Sequence, residues 1–463
     1  MEDIAWHSAT AIAGRVATGA LTARAVTEAA LARIEARNPV LNAFTDITAE
    51  RARAQADRVD AARAAGRPMG PLSGVPFAVK NLFDIAGLPT RAGSAINRTR
   101  APAAYDSPLI TRLEAAGGVL LGALNMGEYA YDFTGENRHD GPSRNPHDLA
   151  RMTGGSSGGS GGAVAGGLVP LALGSDTNGS IRVPAALCGL FGLKPTYGRL
   201  PRTHSFPFVG SFDHLGPLAR SVEDLAAAYD AMQGHDAGDP ACADRPPEPV
   251  SASLGKGIAG LRIARAGGYF RRSMMPEAAH AVQHIADALG IASEVEIPEA
   301  ARARAAAFLI TTAEGAALHL GRLRTRPGDF DPDVRDRLIA GAMVPASLVI
   351  QAQKFRRWYR DAVLRLFEHV DAIIAPVTPC PAPLLGQKTF MLDGVELPVR
   401  PNLGIFTQPI SFIGLPVAAV PVAGTLPTGV QIITAPWRED IALRIARHLE
   451  AAGIAVAQRP QEP

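Results

Sequence analysis

Gly154-Gly-Ser156-Ser157-Gly-Gly-Ser160-Gly-Gly162 and, a short way downstream, Gly174-Ser-Asp176-Thr177-Asn178-Gly179-Ser180-Ile-Arg182-Val-Pro184 are the stretches on which the reading of this 463-residue chain turns. In the first, glycines that accept positive φ and leave room for close approach bring several backbone N–H groups and hydroxyls together. It contains a G-x-S-x-G match from Gly155 to Gly159, without the oxyanion motif and ordered acid and histidine of an α/β-hydrolase elbow. It also lacks the Gly-Lys-Ser/Thr ending of a phosphate loop. Taken alone it reads as a flexible or tightly packed Gly/Ser loop. The second stretch places a hydroxyl just after an Asn-Gly turn, where preceding backbone N–H groups can aim at one point as in an oxyanion hole. Asp176 and Arg182 flank that turn, where an ion pair would brace it. A plain Asn-Gly hairpin turn is the competing account.

Around these stretches, short apolar runs punctuated by Gly and Pro alternate with helical patterns. The runs are Gly74-Val-Pro-Phe-Ala-Val-Lys80, Gly118-Val-Leu-Leu-Gly-Ala-Leu124 and Leu168-Val-Pro-Leu-Ala-Leu-Gly174, and Ser107-Pro108 marks a helix start. Such alternation predicts an α/β layered fold. Residues 8–65 read as two or three amphipathic helices with a break at Asn38-Pro39. Strand-like runs recur at Leu261-Arg-Ile-Ala-Arg, Ser293-Glu-Val-Glu-Ile, Ala372-Ile-Ile-Ala-Pro376, Val417-Ala-Ala-Val-Pro421 and Thr428–Thr434. Helical segments are expected over 276–290, 335–370 and 439–452. We expect one domain: an N-terminal helical segment (1–70), a core (71–235), a more variable lobe (255–370) and closing strands and helix (371–463).

Charge is nearly balanced, with 46 basic and 44 acidic residues, which argues against a nucleic-acid or acidic-membrane binder. Only five of the basic residues are lysines: Lys80, Lys194, Lys256, Lys354 and Lys388. Lys80 stands out inside an apolar run, because lysine can lose its proton when desolvated and serve as a base, whereas arginine cannot. Three widely spaced cysteines (Cys188, Cys242, Cys380) point away from a disulfide framework and towards a reducing cytoplasm. The N-terminus has no basic-then-apolar secretory pattern, and no apolar stretch reaches the roughly 20 residues of a membrane span. His280 and His284 sit four apart without a third ligand, so no zinc site is expected.

Lys80 lies 76 residues before Ser156, and Ser180 lies 24 after it. With Cys188-Gly-Leu-Phe-Gly-Leu-Lys194-Pro-Thr196, this region closely resembles the amidase signature family, and the resemblance extends over essentially the whole chain. It implies the amidase signature fold, an α/β architecture with a central mixed β-sheet covered by helices on both faces. Carried over by position, it implies that Ser180 is the nucleophile, Ser156 a bridging serine on a cis peptide and Lys80 the base. Thr177, Asn178, Gly179 and Ser180 would supply oxyanion N–H groups, and no metal or organic cofactor is required. Two departures stand out: Asn178 occupies a position where many members carry Gly or Ser, and Gly127 replaces the Asp common after Asn-Met.

Within the family, Asn81-Leu-Phe-Asp-Ile, Gly141-Pro-Ser-Arg-Asn-Pro-His-Asp148, Phe206-Pro-Phe-Val, Asp213-His-Leu-Gly-Pro-Leu218 and Ala435-Pro-Trp437 are most similar to a branch acting on 1-carboxybiuret in bacterial cyanuric acid breakdown. That implies release of ammonia to leave 1,3-dicarboxyurea. It also implies a small helical partner resembling the amidotransferase C subunit, in a homodimer core or heterotetramer. Ureide hydrolysis in purine breakdown and a glutamyl-tRNA amidotransferase A-type role are the alternatives. A carboxylated substrate needs a cation, for which Arg322, Arg324 and Arg326 near His319 are candidates. Tyr131, Thr134 and Asn137 are candidates for the opposite wall.

Overall fold

A computed structural model describes residues 4–461. Among the described residues, eleven strands form one sheet in the spatial order Phe44–Ile47, Val119–Leu124, Pro76–Lys80, Leu171–Asp176, His214–Ala219, Phe191–Lys194, Val417–Val422, Thr428–Thr434, Ala372–Pro376, Ile263–Ala266 and Glu294–Val295. The sheet is mixed. Val119–Leu124, Pro76–Lys80 and Leu171–Asp176 run parallel, the next strands pair antiparallel, and the last three are parallel again. The central strands are buried along their whole length, as near-continuous apolar runs such as Ala-Ile-Ile-Ala-Pro376 require when both faces are covered. Helices flank the sheet: Gly158–Ala165 packs with Arg182–Leu187, and Val222–Met232 with Glu439–Ala451. The α/β mixed-sheet expectation therefore holds.

The register decides where the chemistry sits. Lys80 pairs with Leu124 and Val79 with Leu173, so three parallel strands end side by side at Lys80, Leu124 and Ser175-Asp176. Ligand sites in open α/β sheets lie beyond such carboxyl ends.

Several local expectations are corrected. The predicted break at Asn38-Pro39 is absent: the helix runs Ala23–Leu41 with Pro39 inside it and ends where Asn42 turns left-handed, its N–H bonded to Asn38 O at 2.7 Å. A proline in the final turn loses only one backbone bond, and the left-handed Asn supplies the stop. The helix expected over 335–370 is two helices, Pro332–Ala342 and Ala346–Leu364, separated at Pro345, which cannot continue the first. The lobe's longest helix, Ala300–Thr325, was not foreseen. No single helix among the described residues is long and apolar enough to cross a membrane.

Candidate active site

Lys80 and Ser156 meet, as the resemblance to the amidase signature family implies. Lys80 is wholly buried, and its Nζ lies 2.6 Å from Ser156 Oγ and 2.8 Å from Ser175 Oγ. The peptide bond joining Gly155 to Ser156 is cis. Ser157 pins the serine loop to the neighbouring strand through both the N–H and the carbonyl of Ser175, each at 3.2 Å, and Ser160 Oγ donates to Leu173 O. Gly155 has no room for a side chain, since a Cβ would lie 2.4 Å from Asp132 Oδ2 and 2.7 Å from Gly135 N. Burial pushes the Lys80 ammonium down to about 7, against the opposing pull of Asp213, Asp176 and Asp132.

Ser180 is 3% exposed at the end of the second motif. Just before it, Gly179 has φ +145°, and a Cβ there would come within 2.2 Å of Thr407 Oγ1. Among the described residues, the backbone N–H groups of Thr177, Asn178, Gly179 and Ser180 have no protein acceptor. Four consecutive unpaired donors beside a hydroxyl form the layout that stabilises a developing oxyanion. Thr177 Oγ1 donates to half-buried Asp213 at 2.7 Å, and that carboxylate also accepts from Phe208 N and Val209 N.

Asp176 and Arg182 form the ion pair that the flanking positions suggested, with both side chains fully buried. Arg182 donates to Asp176 Oδ2 at 2.9 Å and Oδ1 at 3.0 Å, and to Gln431 Oε1 at 2.9 Å, Thr407 O at 3.3 Å and Ser411 Oγ. Burial alone would raise the Asp176 carboxyl, but the charge and hydrogen bonds of Arg182 hold it well below its usual range. Replacing Arg182 with methionine strands a buried carboxylate and is expected to destabilise the fold by about 3–5 kcal/mol, read from the urea unfolding midpoint.

Two cavities share Ala130, Thr177 and Phe208 as walls. The smaller holds Ser180, with Tyr131, Asn178, Thr311 and Arg337 around it. The larger, about 340 Å³, reaches Lys80's partner Ser175 and is lined also by Arg202, Phe206 and Asp213.

Of the foreseen wall residues, Tyr131 lines the Ser180 cavity. Thr134 is turned to Asp132 at 2.8 Å, and Asn137 Nδ2 is used on Gly93 O and Met126 O, so both hold the loop together. Arg322 lies over the Tyr129 and Phe206 rings and bonds His319, while Arg324 is exposed; neither reaches the Ser180 cavity. The reason is helical rise: Thr311 faces the cavity from the same helix, and eleven further residues carry Arg322 about 16 Å beyond it. Arg326 pairs with Asp329 at the helix end. His280 and His284 are both exposed.

Arg337, Ser175 and Thr407 were not foreseen. Arg337 had a signal, because it falls beside Val334, Leu338 and Gly341 on the buried face of its helix. The Gly127 departure also has a structural counterpart. A Cβ at Gly127 would lie 2.4 Å from Asp132 Cβ, so the Asp132 carboxylate occupies the neighbourhood that an Asp at 127 would fill.

The chain belongs to the amidase family, whose model matches residues 25–443, and it is an amidase signature hydrolase. It is 55% identical over 444 residues to AtzE, a 1-carboxybiuret hydrolase component of Pseudomonas sp. (strain ADP), covering 95% of this chain and 97% of that one. The GatA-type component of glutamyl-tRNA(Gln) amidotransferase from Roseiflexus sp. (strain RS-1) is 38% identical over 458 residues, covering 92% of each. Among solved structures, a vestigial protein complex described as revealing the origins of an s-triazine catabolic enzyme superposes with a TM-score of 0.97. It shares 54% identity and covers 98% of this chain and 100% of its own.

Proposed function

We propose that this chain is the catalytic component of a 1-carboxybiuret hydrolase, with Ser180 as nucleophile, Ser156 as proton relay and Lys80 as base. The observation that carries it is Lys80 Nζ held 2.6 Å from Ser156 Oγ beside the row of unpaired N–H groups ending at Ser180. The substrate is supported by the 55% identity to AtzE.

A neutral Lys80 amine has one lone pair and two N–H groups. It accepts the Ser156 hydroxyl proton while still donating to Ser175, and Ser156 in turn takes the proton of Ser180. Ser180 Oγ attacks the terminal carbamoyl carbon, and the oxyanion settles against the N–H groups of residues 177–180. The C–N bond breaks, the relay returns its proton, and ammonia departs. Water then cleaves the Ser180 carbamate ester, giving 1,3-dicarboxyurea and restoring the hydroxyl.

Arg337 holds the substrate carboxylate. Its Nε donates to Asp333 O at 2.7 Å and its Nη2 to Tyr131 O, and its guanidinium lies 3.8 Å over the Tyr131 ring. No carboxylate pairs with it among the described residues, and burial lowers its pKa, so an anionic ligand would supply the missing partner. Arg337→Gln is expected to raise KM for the carboxylated substrate by about 10- to 100-fold with a much smaller change in kcat, measured by ammonia release.

The family also supports one amidase domain over the whole chain. A small helical partner, in a heterotetramer or around a homodimer core, is consistent with the s-triazine relative's having been solved as a protein complex. Three buried, unbridged cysteines support a cytoplasmic setting. The deciding experiment is ammonia release from 1-carboxybiuret, biuret, allophanate, ureides and glutamine, with and without the partner. Turnover of glutamine alone would replace this reading with the amidotransferase one.

A further inference from the structure

We propose that the side chain of Asn178 is a specificity-determining group that selects amides whose reacting carbonyl carries a second N–H, as in ureas and biurets. The inference rests on the amidase reading above and deepens it by naming what distinguishes a ureido substrate from an ordinary carboxamide.

Asn178 is held by two hydrogen bonds and is buried. Its Nδ2 donates to Thr311 Oγ1 at 3.0 Å, its backbone carbonyl accepts from Thr407 Oγ1 at 2.6 Å, and its residue surface is 7% exposed. With Nδ2 engaged, the remaining polar atom is Oδ1. That oxygen is buried and has no hydrogen-bond partner among the described residues, although Asn178 and Thr311 both line the Ser180 cavity. A second buried atom without a partner, Oη, belongs to Tyr131, another residue that lines this cavity. Unpaired buried polar atoms are costly, and two on one small cavity indicate a polar occupant that completes them.

Position gives the acceptor its meaning. Asn178 lies within the run whose backbone N–H groups face the reacting carbonyl oxygen, so one residue offers a donor from its main chain and an acceptor from its side chain. A ureido carbon is matched by that pair: its oxygen takes the backbone donors, and the N–H on its non-leaving side donates to Oδ1. A carboxamide puts a C–H group there and leaves Oδ1 unpaired. Sites that hydrogen-bond a substrate N–H reject analogues lacking it strongly, because the site's own polar group is left unsatisfied.

Biuret and malonamide form a suitable probe pair, identical except that a central N–H becomes CH2. In calorimetric titrations of the Ser180→Ala protein, biuret is expected to bind about 10- to 100-fold more tightly than malonamide. Adding Asn178→Ser should shrink that difference to within about threefold, since the shorter hydroxyl does not reach the same point. Equal affinities in Ser180→Ala, absence of binding by both compounds, or a difference that survives Asn178→Ser would each overturn the proposal. If the double variant does not fold, Thr311→Val in the Ser180→Ala background serves instead: it frees the Asn178 amide to turn, and an undiminished preference for biuret would again overturn it. Turnover of 1-carboxybiuret by the wild-type protein is scored separately. Its failure with the biuret preference intact removes the assigned substrate and leaves Asn178 as a ureido selector, whereas turnover without that preference removes only the Asn178 role.

Discussion

Ser180→Ala is expected to lower kcat by about 10⁶-fold, the loss seen when the nucleophile of a serine hydrolase is removed. The oxyanion donors belong to the backbone and remain, so residual acceleration over water survives and binding is retained. Among the described residues, the nearby hydroxyls are otherwise engaged: Ser156 with Lys80, and Thr177 with Asp213 at 2.7 Å. Single-turnover ammonia release on purified protein, with the circular dichroism spectrum as a check of fold, is the measurement. Activity near wild type would remove Ser180 from the reaction.

Lys80→Arg is expected to cost about 10³- to 10⁴-fold in kcat, towards the upper end of what general-base catalysis contributes. The substitution keeps positive charge but removes the capacity to give up a proton, which separates a base from a mere counter-charge. The pH dependence follows from the burial that brings Lys80 down to about 7. The active form is the neutral amine, so kcat/KM should fall about tenfold per pH unit below 7 and level off above it. Asp213, Asp176 and Asp132 oppose the shift, so neutralising one of them would move the acid limb to lower pH. Lys194 also comes down to about 7 through burial, but its ammonium donates to the carbonyls of Pro195 and Leu415, away from Ser156 and Ser180. A rate that rises as pH falls through 7 would exclude Lys80 as the base.

The parts of the site carried by local chemistry were legible in the sequence. Lys80 announced itself as a lysine in an arginine-biased chain, and the Gly/Ser runs marked close backbone approach that the Cβ contacts at Gly155 and Gly179 bear out. Asp176 and Arg182 are six residues apart, and their pairing could be read from one turn. Arg337 and Thr407 lie far along the chain from Ser180, and no local pattern ties them to it. In the lobe, the basic cluster at 322–326 is more conspicuous than a single charge on an apolar face, so the sequence draws attention to it rather than to Arg337, which lines the Ser180 cavity. Among strands, the long apolar ones were found. Phe191–Lys194 and His214–Ala219 were missed because they are short or carry internal glycine. Pro217, paired with Leu173 in the interior of the sheet, breaks the rule that keeps proline at edges.

Arg182 reaches from the start of the helix just after Ser180 to Thr407, Ser411 and Gln431, more than two hundred residues later. Lys80, Ser156, Ser180 and the Asp176–Arg182 pair are all present once residue 182 has been synthesised, yet the other hydrogen-bond acceptors of Arg182 are supplied by the last sixth of the chain. A nascent or truncated polypeptide ending near residue 400 therefore holds every reacting group and none of these distal hydrogen-bond partners. The hydrogen-bond set of Arg182 is therefore completed only when the segment carrying Thr407, Ser411 and Gln431 has been made.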